Sequence, residues 1–268
     1  MIGSNSAQKQ FGLKAARLAL LVFLLAFAFA LTGCSSDDAA GDGFVTYDDF
    51  TGTDGDAADA TKWTESIGTG STASILTNTL DLSSTAGNNA RLLMHDDGDP
   101  GSVTGIRADM TATFYNEGTG GNIRVRIAGS FYNDENEPGG AADSFVSDIF
   151  AVIQLHNFDG TGTGIAEYFI VRCTAADCST SDVIATESMG SVDLDESGTY
   201  QITFDSSTDT FTFTRDGVSA TEDVSASASY KKGPNSPNMQ VGIRGGGTTG
   251  DFMDATIDNF ACKGCTVP

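Results

Sequence analysis

Apolar and polar residues alternate with a period of two along most of this chain, and that pattern restricts the folds open to it. Ile123, Val125 and Ile127 alternate with Asn122, Arg124 and Arg126, and Ala151, Ile153 and Leu155 alternate with Val152, Gln154 and His156. Tyr200 to Asp205 and Thr210 to Arg215 interleave Thr with Tyr, Ile and Phe. Strict alternation is the signature of antiparallel strands with one face on a core. Turn residues separate the runs: Ser206-Ser207-Thr208-Asp209 joins the last two, and Asp216-Gly217 reads as a tight hairpin into Val218. Helical periodicity is not sustained anywhere, so helix is limited to one turn near Asp59 to Trp63. Many short strands with glycine-rich turns predict an all-β, two-sheet antiparallel sandwich of the jelly-roll kind.

The amino-terminal part is of another character. Lys9, Lys14 and Arg17 precede an uncharged apolar run from Leu18 to Leu31, the layout of an export signal, and the run is short for a membrane span. The run ends in Leu31-Thr32-Gly33-Cys34, which resembles the lipobox of bacterial lipoproteins. That resemblance implies cleavage before Cys34 and acylation of its thiol. Residues 1–33 are then a lipoprotein signal peptide, 34–43 a lipidated tether rich in Ser, Ala, Asp and Gly, and 44–268 one domain with no second linker or repeat. Ser35 after the cysteine favours the outer membrane, with the domain facing either the periplasm or the cell surface. Stable anchoring takes more than one acyl chain.

The full sequence carries a net charge of −22. Removing the signal takes three of the 14 basic residues and none of the 36 acidic ones, leaving 11 against 36, or −25. Such a chain is a poor partner for nucleic acid, and self-repulsion predicts a monomer. Apart from Cys34 there are four cysteines, Cys173, Cys178, Cys262 and Cys265, an even set in an exported chain that reads first as two disulfides. Three pairings are open, of which the local one would close two very small loops. A four-cysteine zinc site is an alternative, and a redox role for Cys262-Lys263-Gly264-Cys265 is another, though no strand-helix context of the thioredoxin type surrounds it.

Several segments together resemble a concanavalin A-like lectin/glucanase domain. Phe44-Val45-Thr46-Tyr47-Asp48-Asp49-Phe50, Lys62-Trp63 and Asn78-Thr79-Leu80-Asp81-Leu82 are similar to its opening. Thr199 to Phe204, Thr210 to Gly217, Val241-Gly242-Ile243 and Ala255-Thr256-Ile257-Asp258-Asn259-Phe260 are similar to its closing strands. The resemblance implies that the last strand returns beside the first, and it implies a carbohydrate ligand. It also implies a structural calcium near the terminal strands, for which Asp49 and Asp258 are the candidate carboxylates.

Glycoside hydrolysis on such a fold needs two carboxylates a few ångströms apart, which family members carry on one strand as Glu-x-Asp-x-x-Glu. No strand here has that pattern. Asp134-Glu135-Asn136-Glu137 is the nearest approach, and the following Pro138-Gly139-Gly140 marks it as a loop.

Strand parity suggests a different site. With Ile123, Val125, Ile127, Ile153 and Leu155 inward, Arg124, Arg126, Gln154 and His156 face outward. Tyr168 and Arg172 share one face of the next strand, Ile165 to Arg172, and are expected to join them. Guanidinium forks suit carboxylates, so the expected ligand is an acidic polysaccharide such as a polyuronate. Gln154-Leu155-His156 also resembles the Gln-Ile-His motif of concanavalin-like alginate lyases, whose histidine helps remove the proton beside a uronate carboxyl. Arg124-Val125-Arg126 keeps two arginines of that family's Arg-Thr-Glu-Leu-Arg strand and lacks its glutamate. In Asn238-Met239-Gln240-Val241-Gly242-Ile243-Arg244, Arg244 stands where the family has its catalytic tyrosine.

The expectation is therefore a polysaccharide-binding envelope protein with no assigned catalytic residue. A uronate lyase with His156 as base is one alternative, and a structural or adhesive protein without a sugar ligand is the other. Trp63 reads as core before sugar platform, and Tyr115 and Tyr132 lie near strand ends.

Overall fold

The computed structural model describes residues 42–85, 87–95, 102–116, 123–133, 145–159, 161–176, 178–227, 239–245 and 250–268. The apolar run, Cys34, Asp134 to Glu137, Asn122 and Asn238 lie outside them.

The alternating segments form strands, and fifteen are described: β1 Phe44–Asp48, β2 Trp63–Ile67, β3 Thr72–Leu76, β4 Thr79–Thr85, β5 Asn89–Met94, β6 Gly105–Asn116, β7 Arg124–Asn133, β8 Asp148–His156, β9 Thr163–Cys173, β10 Ser181–Asp193, β11 Gly198–Asp205, β12 Thr210–Arg215, β13 Val218–Asp223, β14 Gln240–Arg244 and β15 Phe252–Lys263. They make two antiparallel sheets. One runs β13-β12-β11-β6-β15-β4-β3, with β1 also paired to β15; the other runs β10-β9-β8-β7-β14-β5-β2. The last strand does return beside the first. Residues Asp59 to Trp63 form a hydrogen-bonded turn, with Lys62 and Trp63 N–H donating to the Asp59 carbonyl, and among the described residues the one helical piece is a 3-10 turn at Ser225–Ser227.

Turn chemistry sets the hairpins. Asp216 and Gly217 have φ of 50° and 81°, the left-handed pair that a two-residue type I′ turn needs between β12 and β13. Thr77 and Asn78, at 51° and 59°, do the same between β3 and β4. The loop from β11 to β12 is held by the Asp205 carboxylate, which accepts from Ser207 N–H at 2.8 Å and Ser207 Oγ–H at 2.6 Å.

Inward-facing residues of both sheets form one core. At one end Trp63 packs edge-on to Tyr47 and Phe260, with ring centroids 5.4 and 5.1 Å apart, and stacks on Phe50 at 5.8 Å. Trp63 is therefore core. Its indole N–H would be orphaned there but for Asp48, whose Oδ2 accepts it at 2.6 Å while Oδ1 accepts Phe50 N–H at 3.0 Å. Lys62 Nζ, at 3.4 Å from Asp48, balances the charge. Elsewhere Tyr132 stacks on Phe204 at 4.7 Å and Tyr168 on Phe213 at 4.2 Å, so aromatic pairs cross between the sheets.

The four cysteines form the two local disulfides, Cys173–Cys178 and Cys262–Cys265. Zinc ligation by the paired cysteines is thereby set aside, since it needs free thiolates.

Asp48→Ala should leave the Trp63 indole and the Phe50 amide unpaired in the core, costing about 2–3 kcal/mol. Urea denaturation measures this directly; an unchanged midpoint would show that Asp48 does not secure the tryptophan.

Candidate functional site

The register of the second sheet decides which side chains meet on its outer face. Arg126 lies opposite Gln154 of β8 on one side and Gly242 of β14 on the other, and Gly242 in turn lies opposite Arg91 of β5. One row across the sheet therefore reads Glu167, Gln154, Arg126, Gly242, Arg91, Ser66. The next row reads His156, Arg124, Arg244, Asn89. Adjacent strands are about 4.8 Å apart and same-face residues about 6.8 Å apart along a strand, so four guanidinium arms share one patch centred on Gly242. Glycine is required at that centre: an added Cβ would sit 2.3 Å from the Ala90 carbonyl oxygen and 2.8 Å from Arg91 Cα.

This outer face is buried almost as deeply as a core. Arg126 is 5% exposed, Gln154 4% and Gln240 4%, so these outward-facing positions are desolvated. The four arginines line a groove of about 460 Å³ with Asn89 and Gln240. Its opposite wall is apolar. Phe145, Phe150, Phe169 and Val171 pack with the Cys173–Cys178 disulfide, so this cross-link stiffens one side of the groove.

Arg126 Nη2 donates to Gln240 Oε1 at 3.0 Å, and Arg91 Nη2 lies 3.5 Å from Ser66 Oγ. Among the described residues no carboxylate forms an ion pair with Arg91, Arg126 or Arg244. Burial, reinforced by the charges of Arg244, Arg124 and Arg91, pulls the Arg126 guanidinium well below its ordinary pKa. Burial and Arg244 lower Arg124 as well, against which Glu167 acts in the opposite sense. For two unit charges about 6 Å apart at an effective dielectric of about 20, repulsion is about 3 kcal/mol. The fold thus maintains a cluster that costs stability when nothing anionic is bound.

Beside it lies a second group. Gln154 Nε2 donates to Glu167 Oε2 at 2.8 Å, and the same oxygen is 3.2 Å from His156 Nε2. Glu167 therefore binds Gln154 and lies beside His156, two polar outward side chains of β8.

Of the expected site residues, Arg124, Arg126 and Arg244 converge, and Gln154 and His156 flank them. Tyr168 and Arg172 do not. The pairing of Glu167 with Gln154 and of Phe169 with Val152 places the odd-numbered residues of β9 on the groove face, so Tyr168 and Arg172 lie on the other. Tyr168 is 3% exposed, stacks on Phe213 and donates to Glu222 Oε1 at 2.6 Å; burial and that bond raise its phenol above the ordinary value. Arg172 lies opposite Ile149 and Asp182 at the strand end. The misassignment has a physical cause: β9 is apolar at both parities, with Ile165, Phe169 and Val171 on one face and Ala166, Tyr168 and Ile170 on the other. Arg91, Glu167 and Gln240 were missed. Arg91 had a signal in Ala90, Leu92 and Met94, whose inward alternation leaves Asn89 and Arg91 outward.

The candidate calcium ligands carry hydrogen bonds of their own. Asp49 Oδ1 accepts from Thr51 N–H at 3.3 Å and Thr51 Oγ–H at 3.0 Å, bonds that hold its carboxyl below the usual range. Asn259 Nδ2 donates to Asp109 Oδ2 at 2.9 Å and lies 3.3 Å from Asp258 Oδ2. Burial raises Asp258, with Asp109 and Asp49 adding to it. Among the described residues no group of three or more His, Cys, Asp or Glu gathers to hold a metal ion. Calcium takes about six to eight oxygen ligands, of which Asp49 and Asp258 could supply a part.

No family model and no curated protein matches the sequence. Solved structures do. An endo-1,3-beta-glucanase from Streptomyces sioyaensis superposes with a TM-score of 0.51 at 14% identity, covering 82% of this chain and 96% of its own. The carbohydrate recognition domain of Emp46p in a potassium-bound form gives 0.51 at 9% identity, covering 83% and 97%. The fold is the concanavalin A-like jelly roll of lectins and glucanases.

The Arg244 side chain makes no hydrogen bond or ion pair among the described residues and is the like charge that acts most strongly on Arg126. Arg244→Met should therefore raise the thermal midpoint of the unliganded protein or leave it unchanged. A drop of more than about 1 kcal/mol, the worth of an ordinary hydrogen bond, would mean that the guanidinium stabilises the sheet.

Proposed function

We propose that the chain is a cell-envelope lipoprotein, held at the outer membrane through acylated Cys34, whose β-sandwich binds an acidic polysaccharide without catalysing its cleavage. The observation that carries this reading is the cluster of Arg91, Arg124, Arg126 and Arg244 in a groove with an apolar wall, in a chain of net charge −22. Desolvated guanidinium groups such as those of Arg91, Arg126 and Arg244, which pair with no carboxylate among the described residues, gain most from an anion, and the phenylalanine wall suits the C–H face of a sugar ring. Lectins and a glucanase among the structural neighbours agree with a carbohydrate ligand in this fold. The acidic surplus elsewhere on the chain discourages nonspecific adsorption of polyanions, leaving the groove as the place of attraction.

A second reading is kept by one observation, the 3.2 Å approach of His156 Nε2 to Glu167 beside Arg124. In a β-eliminating lyase His156 would remove the proton next to a carboxyl neutralised by the arginines. Arg244 occupies the place of the tyrosine that would serve the leaving oxygen, so the proton relay lacks its second member.

Arg124→Ala and Arg126→Ala should each weaken retention of the protein on an acidic polysaccharide about 10- to 100-fold, the worth of a charge-assisted hydrogen bond. Affinity electrophoresis in gels containing alginate or another polyanion reads this. Unchanged mobility shifts would remove the groove from the account. During the same incubations, ultraviolet absorbance from newly formed unsaturated ends should stay flat; a rise abolished by His156→Ala would establish the lyase instead.

A further inference from the structure

The arrangement of the four guanidinium groups says more about the anion than its sign. Arg126 and Arg91 reach toward Gly242 from the two strands on either side of β14, while Arg124 and Arg244 reach it from the next row. The four guanidinium groups line one groove of about 460 Å³, so donors reach it from three strands, β5, β7 and β14. The donors are not one planar fork. Arg126 is held by Gln240, and among the described residues no carboxylate pairs with its remaining N–H groups. Arg91 Nε is buried with no hydrogen-bond partner among the described residues.

A carboxylate presents its acceptor lone pairs in one plane, and a bidentate guanidinium in that plane uses one on each oxygen. Arginines that approach from outside that plane would gain mainly through-space attraction. A tetrahedral ester oxyanion has three terminal oxygens pointing in three directions, and it accepts from separate guanidiniums on separate sides. Guanidinium is itself weakly hydrated, which favours its pairing with such an anion in a desolvated groove. The apolar wall of Phe145, Phe150 and Phe169 then lies where the esterified sugar would rest.

We infer that the groove is built for a tetrahedral ester oxyanion, a sulfate or phosphate ester carried on a polysaccharide, in preference to a uronate carboxylate. The inference rests on the reading of the groove as an acidic-polysaccharide site and narrows its chemistry.

Three polymers with one backbone separate the terms: dextran, carboxymethyl-dextran and dextran sulfate, matched in degree of substitution and titrated at fixed ionic strength against the full-length protein in detergent. Dextran sulfate should bind at least 10-fold tighter than carboxymethyl-dextran. Inorganic sulfate or phosphate should displace it better than acetate of equal ionic strength, and the stronger of the two competitors identifies the ester. Arg91→Lys keeps the charge but loses the fork, so it should erase most of the preference while leaving the thermal midpoint near that of the native protein. Equal or tighter binding of carboxymethyl-dextran, displacement by acetate as effective as by sulfate, or a preference untouched by Arg91→Lys would overturn the inference and leave the acidic-polysaccharide reading standing. Failure of both charged dextrans to bind would overturn that reading as well.

Discussion

The antiparallel register of β7, β14 and β5 is the constraint from which the character of the groove follows. Arg126, Gly242 and Arg91 are opposite one another in one row, so two guanidinium arms face each other over a residue with no side chain. A slip of one residue would turn the arginines into the core and bring Val125, Ile127, Val241 and Ile243 to the surface, which burial forbids. Hydrophobic alternation on the inner face thus holds the charges together on the outer face. Mutual repulsion and desolvation oppose the arrangement, and the inward residues of these three strands, none more than 6% exposed at Ala90, Leu92, Met94, Val125, Ile127, Val241 and Ile243, supply the opposing stability.

The rest of the sandwich holds that sheet in place. Trp63 opens β2, the edge strand beside β5, and its ring packs against Tyr47 of β1 and Phe260 of β15 in the facing sheet. Asp48 makes that burial tolerable by accepting a hydrogen bond from the indole N–H. At the other side of the groove, the Cys173–Cys178 disulfide packs with Phe150 and Val171 and braces the apolar wall. Cationic floor and apolar wall therefore come from different strands fastened by different means, as expected of a preorganised ligand site.

Much of the fold is legible in the sequence because its signals are local. The Asp216-Gly217 turn, the strand at Thr210–Arg215 and the outward parity of Arg124, Arg126, Gln154 and His156 all depend on neighbours a few residues away. What was not legible depends on partners far along the chain. β9 is apolar on both faces, so only its register with β8 reveals that Glu167 joins the site and that Tyr168 and Arg172 leave it. Arg91 lies more than 30 residues before Arg124, and β14 between them in space comes more than 100 residues later. The deep burial of Gln154 and Gln240 is likewise a property of the assembled sheet, since alternation alone marks such positions as exposed.

A crystal structure of the protein with an oligosaccharide carrying one ester oxyanion per repeat tests the central claim most directly. The anionic group should lie in the groove between the arginines, with its oxygens about 2.7–3.2 Å from nitrogens of Arg91 and Arg126, and the sugar against Phe145 and Phe169. An oligosaccharide seated elsewhere, with the four arginines facing solvent or one another across an unfilled groove, would contradict it.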